Sequence, residues 1–126
     1  MSVAPVDLAA VQVFGTDLER PECVACTASG AIWTSHAPAG GRGGVAKLDA
    51  SGRPHPIVAG DGAPSDFMPN GWSMEPDGSF VMANLANSGG VWRLAADGSC
   101  APVLLEIDGF AMPPTNFVHR DELGRL

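Results

Sequence analysis

Glu22, Asn70 and Asn116 are the side chains in this sequence whose types and spacing most resemble a site. Each stands eight positions before a glycine: Gly30, Gly78 and Gly124. Successive members are 48 and 46 residues apart. A carboxylate and two amide oxygens are hard donors, suited to Ca²⁺, Mg²⁺ or Mn²⁺. The three also share one feature of context, since each begins an otherwise apolar run. A second reading is turn chemistry, because Pro69-Asn70-Gly71 is a turn sequence and Asn116 follows Thr115. For Asn70 the two readings stand level; for Glu22 and Asn116 the shared register favours the cation site.

Other reactive residues do not assemble in this way. Cys23-Val24-Ala25-Cys26 has C-x-x-C spacing, but no second pair accompanies it. In a strand its two thiols would point to opposite faces. Cys100 makes an odd count of three cysteines, which argues against a disulfide framework. His36, His55 and His119 are too scattered for a metal set, and His119 reads as a core histidine. No Ser-His-Asp set and no G-x-S-x-G is present.

The elements that must carry these residues form a repeat. "ECVACTASGAIWTSH" from Glu22, "NGWSMEPDGSFVMAN" from Asn70 and "NFVHRDELGRL" from Asn116 align. Farther along, "GGVAKLDASG" from Gly43 aligns with "GGVWRLAADG" from Gly89. Each unit reads as four short strands. Asp77-Gly78 and Asp97-Gly98 mark hairpins because glycine supplies the positive φ their turns need. "AIWTS", "SFVMA" and "VWRL" are rich in strand formers. No segment pairs a 3.6-residue apolar period with a cap, so almost no helix is expected.

Four antiparallel strands every ~40–50 residues is the spacing of a β-propeller blade. The expected class is therefore all-β, a partial propeller of four-stranded blades in one domain over 1–126. An N-terminal strand within 1–18 precedes blade 1 at 19–67, blade 2 at 68–113 and the start of blade 3 at 114–126. A ring needs at least four blades. About two and a half are present, so the chain reads as truncated.

Composition bounds the partners. The net charge of −7, from 7 basic and 14 acidic residues, leaves no basic patch for nucleic acid or an anionic membrane. No apolar stretch approaches the ~20 residues of a membrane span. The N-terminus lacks a basic n-region, so a cytoplasmic location is expected. The long connection "AGDGAPSDFMPNGW" leads into Asn70, and Asp66, Phe67 and Met68 are candidates for a lid touching substrate. Trp33, Trp72 and Trp92 read as packing between units.

Taken together, "RPECVA", "GAIWTS", "GGVAKLDASG", "PNGWSMEPDGSFVMAN", "GGVWRLAADGS" and "PPTNFVHRDELGRL" resemble the regucalcin/gluconolactonase family, which includes luciferin-regenerating enzymes. The likeness covers the N-terminal two-fifths or so of a typical member. It implies a six-bladed propeller with one divalent metal, Ca²⁺ or Zn²⁺, in the central channel. It implies hydrolysis of sugar lactones or related esters. Glu22 matches the first ligand and Asn116 the first ligand Asn. The remaining Asn and the Asp, which serves as the base, would lie beyond Leu126. No catalytic residue is then expected within this chain, and the chain alone is expected to be inactive. Asn70 matches no ligand and could contact substrate. Thr115-Asn116-Phe117 departs from the family's Pro-Asn-Asp, placing a ring where a carboxylate is usual. The competing expectation is a propeller module that binds a small ligand or Ca²⁺ without turnover.

Overall fold

The computed structural model describes residues 4–126. They form an all-β structure with one short 3-10 turn at Leu8–Ala10. The first antiparallel sheet runs β1 (Val24–Cys26), β2 (Ile32–His36), β3 (Gly44–Leu48) and β4 (Pro54–Val58) in sequence order. The second runs β5 (Pro69–Met74), β6 (Phe80–Asn84), β7 (Val91–Leu94) and β8 (Cys100–Leu104). A small ribbon, β9 (Glu106–Ile107) and β10 (Phe110–Ala111), follows it.

One turn design joins β1 to β2, β3 to β4, β5 to β6 and β7 to β8, and recurs at Gly124. At Gly30, Gly52, Gly78, Gly98 and Gly124 φ lies between 79° and 86°. Each glycine N–H donates to the carbonyl three residues earlier, as Gly78 to Glu75 at 3.0 Å. The amide of that earlier residue donates across the turn, as Glu75 to Ser79 at 2.8 Å. This is a type I turn closed by a left-handed glycine, the three-residue hairpin loop. Aspartate supports it from either of two places. Asp49 and Asp121 open their turns, whereas Asp77 and Asp97 precede the glycine and bind Ser79 and Ser99.

The sheets pack face to face. Trp33, Val45 and Ile57 of the first meet Trp72, Phe80, Met82, Trp92 and Leu94 of the second. Phe80 lies between two indoles, with ring centroids 5.1 Å from Trp33 and 5.4 Å from Trp72. The other face of the second sheet carries Val81, Ala83 and Val91, which are covered by Met112 and Val118. Residues 112–120 thus act as a strap on that side.

Three expectations change. Residues 8–18 form no strand: Asp7 accepts from Ala9 to close the 3-10 turn, and Leu8, Val11 and Val13 are exposed. Strand-forming side chains are not enough where the segment joins no sheet edge, and residues 8–18 pair with none. Residues 114–126 likewise close their glycine turn, with Asp121 N–H on Arg125 O at 2.9 Å, without becoming strands. Finally, His119 is exposed and is not a core residue.

Candidate functional site

The heads of the second and third units meet. Asn70 lies on β5 at a break in the ladder, where pairing with β6 shifts between Pro69 and Trp72. Such a bulge frees backbone groups and re-aims side chains. The freed Gly71 N–H donates to Asn116 O at 2.9 Å. Asn70 Nδ2 donates to the same carbonyl at 3.1 Å and also to Asn116 Oδ1. Both groups facing the Asn70 amide are acceptors, so its nitrogen must point at them. Its Oδ1 therefore faces away, buried and without a hydrogen-bond partner. Leaving a buried carbonyl oxygen unpaired costs roughly 1–3 kcal/mol.

Phe117 completes this junction. A Cβ on Gly71 would sit 2.0 Å from the Phe117 ring, so residue 71 has to be glycine while the ring lies there. The aromatic residue that departs from the family pattern thus fills the space over the bulge.

Glu22 is held separately. Its N–H donates to Ser35 Oγ at 2.8 Å and its carboxylate pairs with Arg20 at 3.1 Å. The carboxylate is half exposed, and no hydrogen bond joins it to Asn70 or Asn116 among the described residues. The structure brings two of the three predicted oxygen donors together and leaves the third paired with a cation of its own. No cluster of three His, Cys, Asp or Glu side chains able to hold a metal occurs among the described residues. Any cation here would rely on amide oxygens.

The lid residues behave differently from one another. Phe67 is fully buried, its ring edge-on to Trp92 at 6.0 Å, so it is a core residue and cannot touch substrate through its side chain. The connection carrying it is pinned between the sheets by Gly60 N–H on Gly98 O and by the buried Ala59 and Ala63. Asp66 is tied down as well, taking Ser88 Oγ at 2.7 Å and Ser88 N–H at 3.3 Å. The Ser88 hydroxyl holds this carboxyl below the usual carboxylate range.

Asn84 organises the junction and was not singled out from the sequence. Fully buried, it accepts Met68 N–H at 3.0 Å and Ala86 N–H at 3.2 Å, and donates to Ser88 Oγ and Gly89 O. Its own carbonyl accepts Thr115 N–H at 2.8 Å. His36, its counterpart in the repeat, makes one such bond: Nδ1 accepts Glu19 N–H at 3.3 Å. The alignment of His36 with Asn84 was the available signal, for a polar residue at the same end of two strands suggests a shared pinning role.

Comparison of the chain with protein-family models, with curated proteins and with solved structures returned no match.

Proposed function

We propose that this chain belongs to a β-propeller hydrolase of lactones or related esters that uses a divalent cation, Ca²⁺ foremost. The blade reading rests on the 46–48-residue repeat and on two four-stranded meanders packed face to face. The observation that carries the site is the orphaned Asn70 Oδ1, on an amide whose nitrogen is held by Asn116 at the head of the next unit. An unpaired buried amide oxygen is a hard donor and fits a cation of the Ca²⁺, Mg²⁺ or Mn²⁺ type; Zn²⁺ is the alternative drawn from the family resemblance. Glu22 would add negative charge once released from Arg20, and Asn116 would turn its amide oxygen inward. A bound cation would polarise the substrate carbonyl. The proton of the attacking water would pass to a carboxylate, which the resemblance assigns to an Asp outside residues 1–126.

A second reading is a binding module without turnover. It is favoured by the pairing of Glu22 with Arg20, which leaves no described carboxylate hydrogen-bonded to the asparagine pair. Calorimetric titration with CaCl₂ and MnCl₂, run beside hydrolysis of glucono-δ-lactone and γ-octalactone, separates the two. Binding that disappears in Glu22→Gln and Asn116→Ala, with metal-dependent hydrolysis, supports the enzyme. Binding without hydrolysis in the full-length protein supports the module. Heats unchanged by either substitution would remove the cation site.

A further inference from the structure

A cleft lined in part by neighbours of the candidate residues points to a particular kind of substrate. It has a volume of about 410 Å³ and lies between residues 37–41 and 65–68. Both walls run straight into candidate residues. Arg20, on one side, stands two residues before Glu22 and is paired with it at 3.1 Å. Met68, on the other, stands two residues before Asn70.

The lining is mostly hydrocarbon: Ala37, Pro38, Ala39 and Met68 supply the walls. Its polar side chains are few. Asp66 is turned onto Ser88 by two hydrogen bonds, and the nearby Glu19 carboxylate is taken by Ala39 N–H at 3.0 Å. Ser65 and Arg20 remain, and Arg20 is the cation among the lining residues. A sugar ring presents several hydroxyls, each of which loses water on entry and needs a partner. Ser65, Arg20 and the Ser88-bound Asp66 are the polar side chains these walls offer, fewer groups than such a ring carries hydroxyls. A hydrocarbon-bodied ring or chain loses nothing by entering. Its single carbonyl oxygen needs one donor, and a guanidinium provides it.

Arg20 carries a second mark. Its φ is 51°, in the left-handed region that non-glycine residues avoid. Its carbonyl accepts Glu22 N–H at 2.9 Å, closing the tight bend that brings the two side chains together. Glycine would take this bend without strain; Asp17 and Asp108 share the conformation, at φ 53°.

We propose that this cleft binds the apolar body of an aliphatic lactone or ester, and that Arg20 donates a hydrogen bond to its carbonyl oxygen. The substrate class rests on the lactone or ester reading above, but the binding itself needs no cation. The test is therefore made in EDTA. The chain, labelled with ¹⁵N, is titrated with γ-octalactone and separately with glucono-δ-lactone. Shifts in the amides of residues 39–41 and 68 with octalactone, and none with the gluconolactone, are expected. Ala39 is exposed, so Ala39→Trp should fill the cleft and abolish the shifts. Arg20→Gly should weaken binding about three- to tenfold, the weight of one hydrogen bond, while the melting temperature holds or rises as the strain is relieved. Equal binding of both lactones would overturn the apolar class. Octalactone affinity unchanged in Arg20→Gly would overturn the role of the guanidinium, and shifts that survive Ala39→Trp would overturn the location. A failed Ca²⁺ titration alongside a positive result here would remove the cation reading and leave this one standing.

Discussion

The two sheets have the same strand order and the same turns, yet β6 is buried at all five positions and β2 at only two. Their surroundings account for this. The second sheet has the first on one face and residues 112–120 on the other. The first sheet has the second on one face and residues 14–21 lightly covering the other, enough to bury Thr34, Ala46 and Leu48 but not Val24. Its far face carries Val24, Ile32, Thr34 and Leu48, which line a groove of about 330 Å³ with Phe14, Leu18 and Pro21. These are the repeat positions that in the second sheet hold Trp72, Phe80, Met82 and Leu94. The same central strand is buried throughout when a sheet and a strap flank it, and only in part when its second cover is the N-terminal segment.

The largest expected contrast lies in that pair of positions. Phe80→Ala should cost about 3–5 kcal/mol in urea unfolding, whereas Ile32→Ala, its counterpart, should cost less than about 2 kcal/mol. Equal losses would mean that the first sheet is as well covered as the second. The next contrast concerns the pinning residues. Asn84→Ala strands several buried backbone groups and should cost roughly 2–4 kcal/mol, while His36→Ala should cost under about 1 kcal/mol. Hydrogen exchange at Met68 and Thr115 should quicken in the first variant and not in the second.

The smallest contrast concerns the two ways of supporting a turn. Hydrogen bonds from the Ser51 hydroxyl, then His55, hold the Asp49 carboxyl well below its usual range. The Ser79 hydroxyl lowers that of Asp77, helped by the Arg93 charge. A depressed folded-state value means that the contribution is present above the unfolded value, about 3.9, and fades as the pH falls below it. Melting temperatures should therefore drop between roughly pH 4 and pH 2. Asp49→Asn and Asp77→Asn should each flatten that acid limb slightly. An unchanged limb would show that these exposed turns contribute nothing measurable.

The strands and glycine turns were legible in the sequence because they depend on local chemistry. Asp77-Gly78 demands its turn wherever it stands, and "SFVMA" is apolar enough to lie at the centre of any sheet. What depends on distant partners was not legible. "LAAVQVF" has the side chains of a strand but finds no edge. Phe67 sits amid Pro, Ser and Asp, so its surroundings suggest a loop, yet Trp92 arrives from 25 residues later to bury it. The meeting of Asn70 and Asn116 was partly readable from register. The pairing of Glu22 with Arg20 was not, because it depends on a strained bend that no propensity favours.

The bulge at Asn70–Gly71 also provides a built-in reporter. By leaving its own ladder, the Gly71 amide proton depends for protection on Asn116 O. Its exchange with deuterium would then time each departure of the strap, separately from the rest of β5. A ligand that draws the Asn116 amide inward should slow that one proton before it alters any global melting curve.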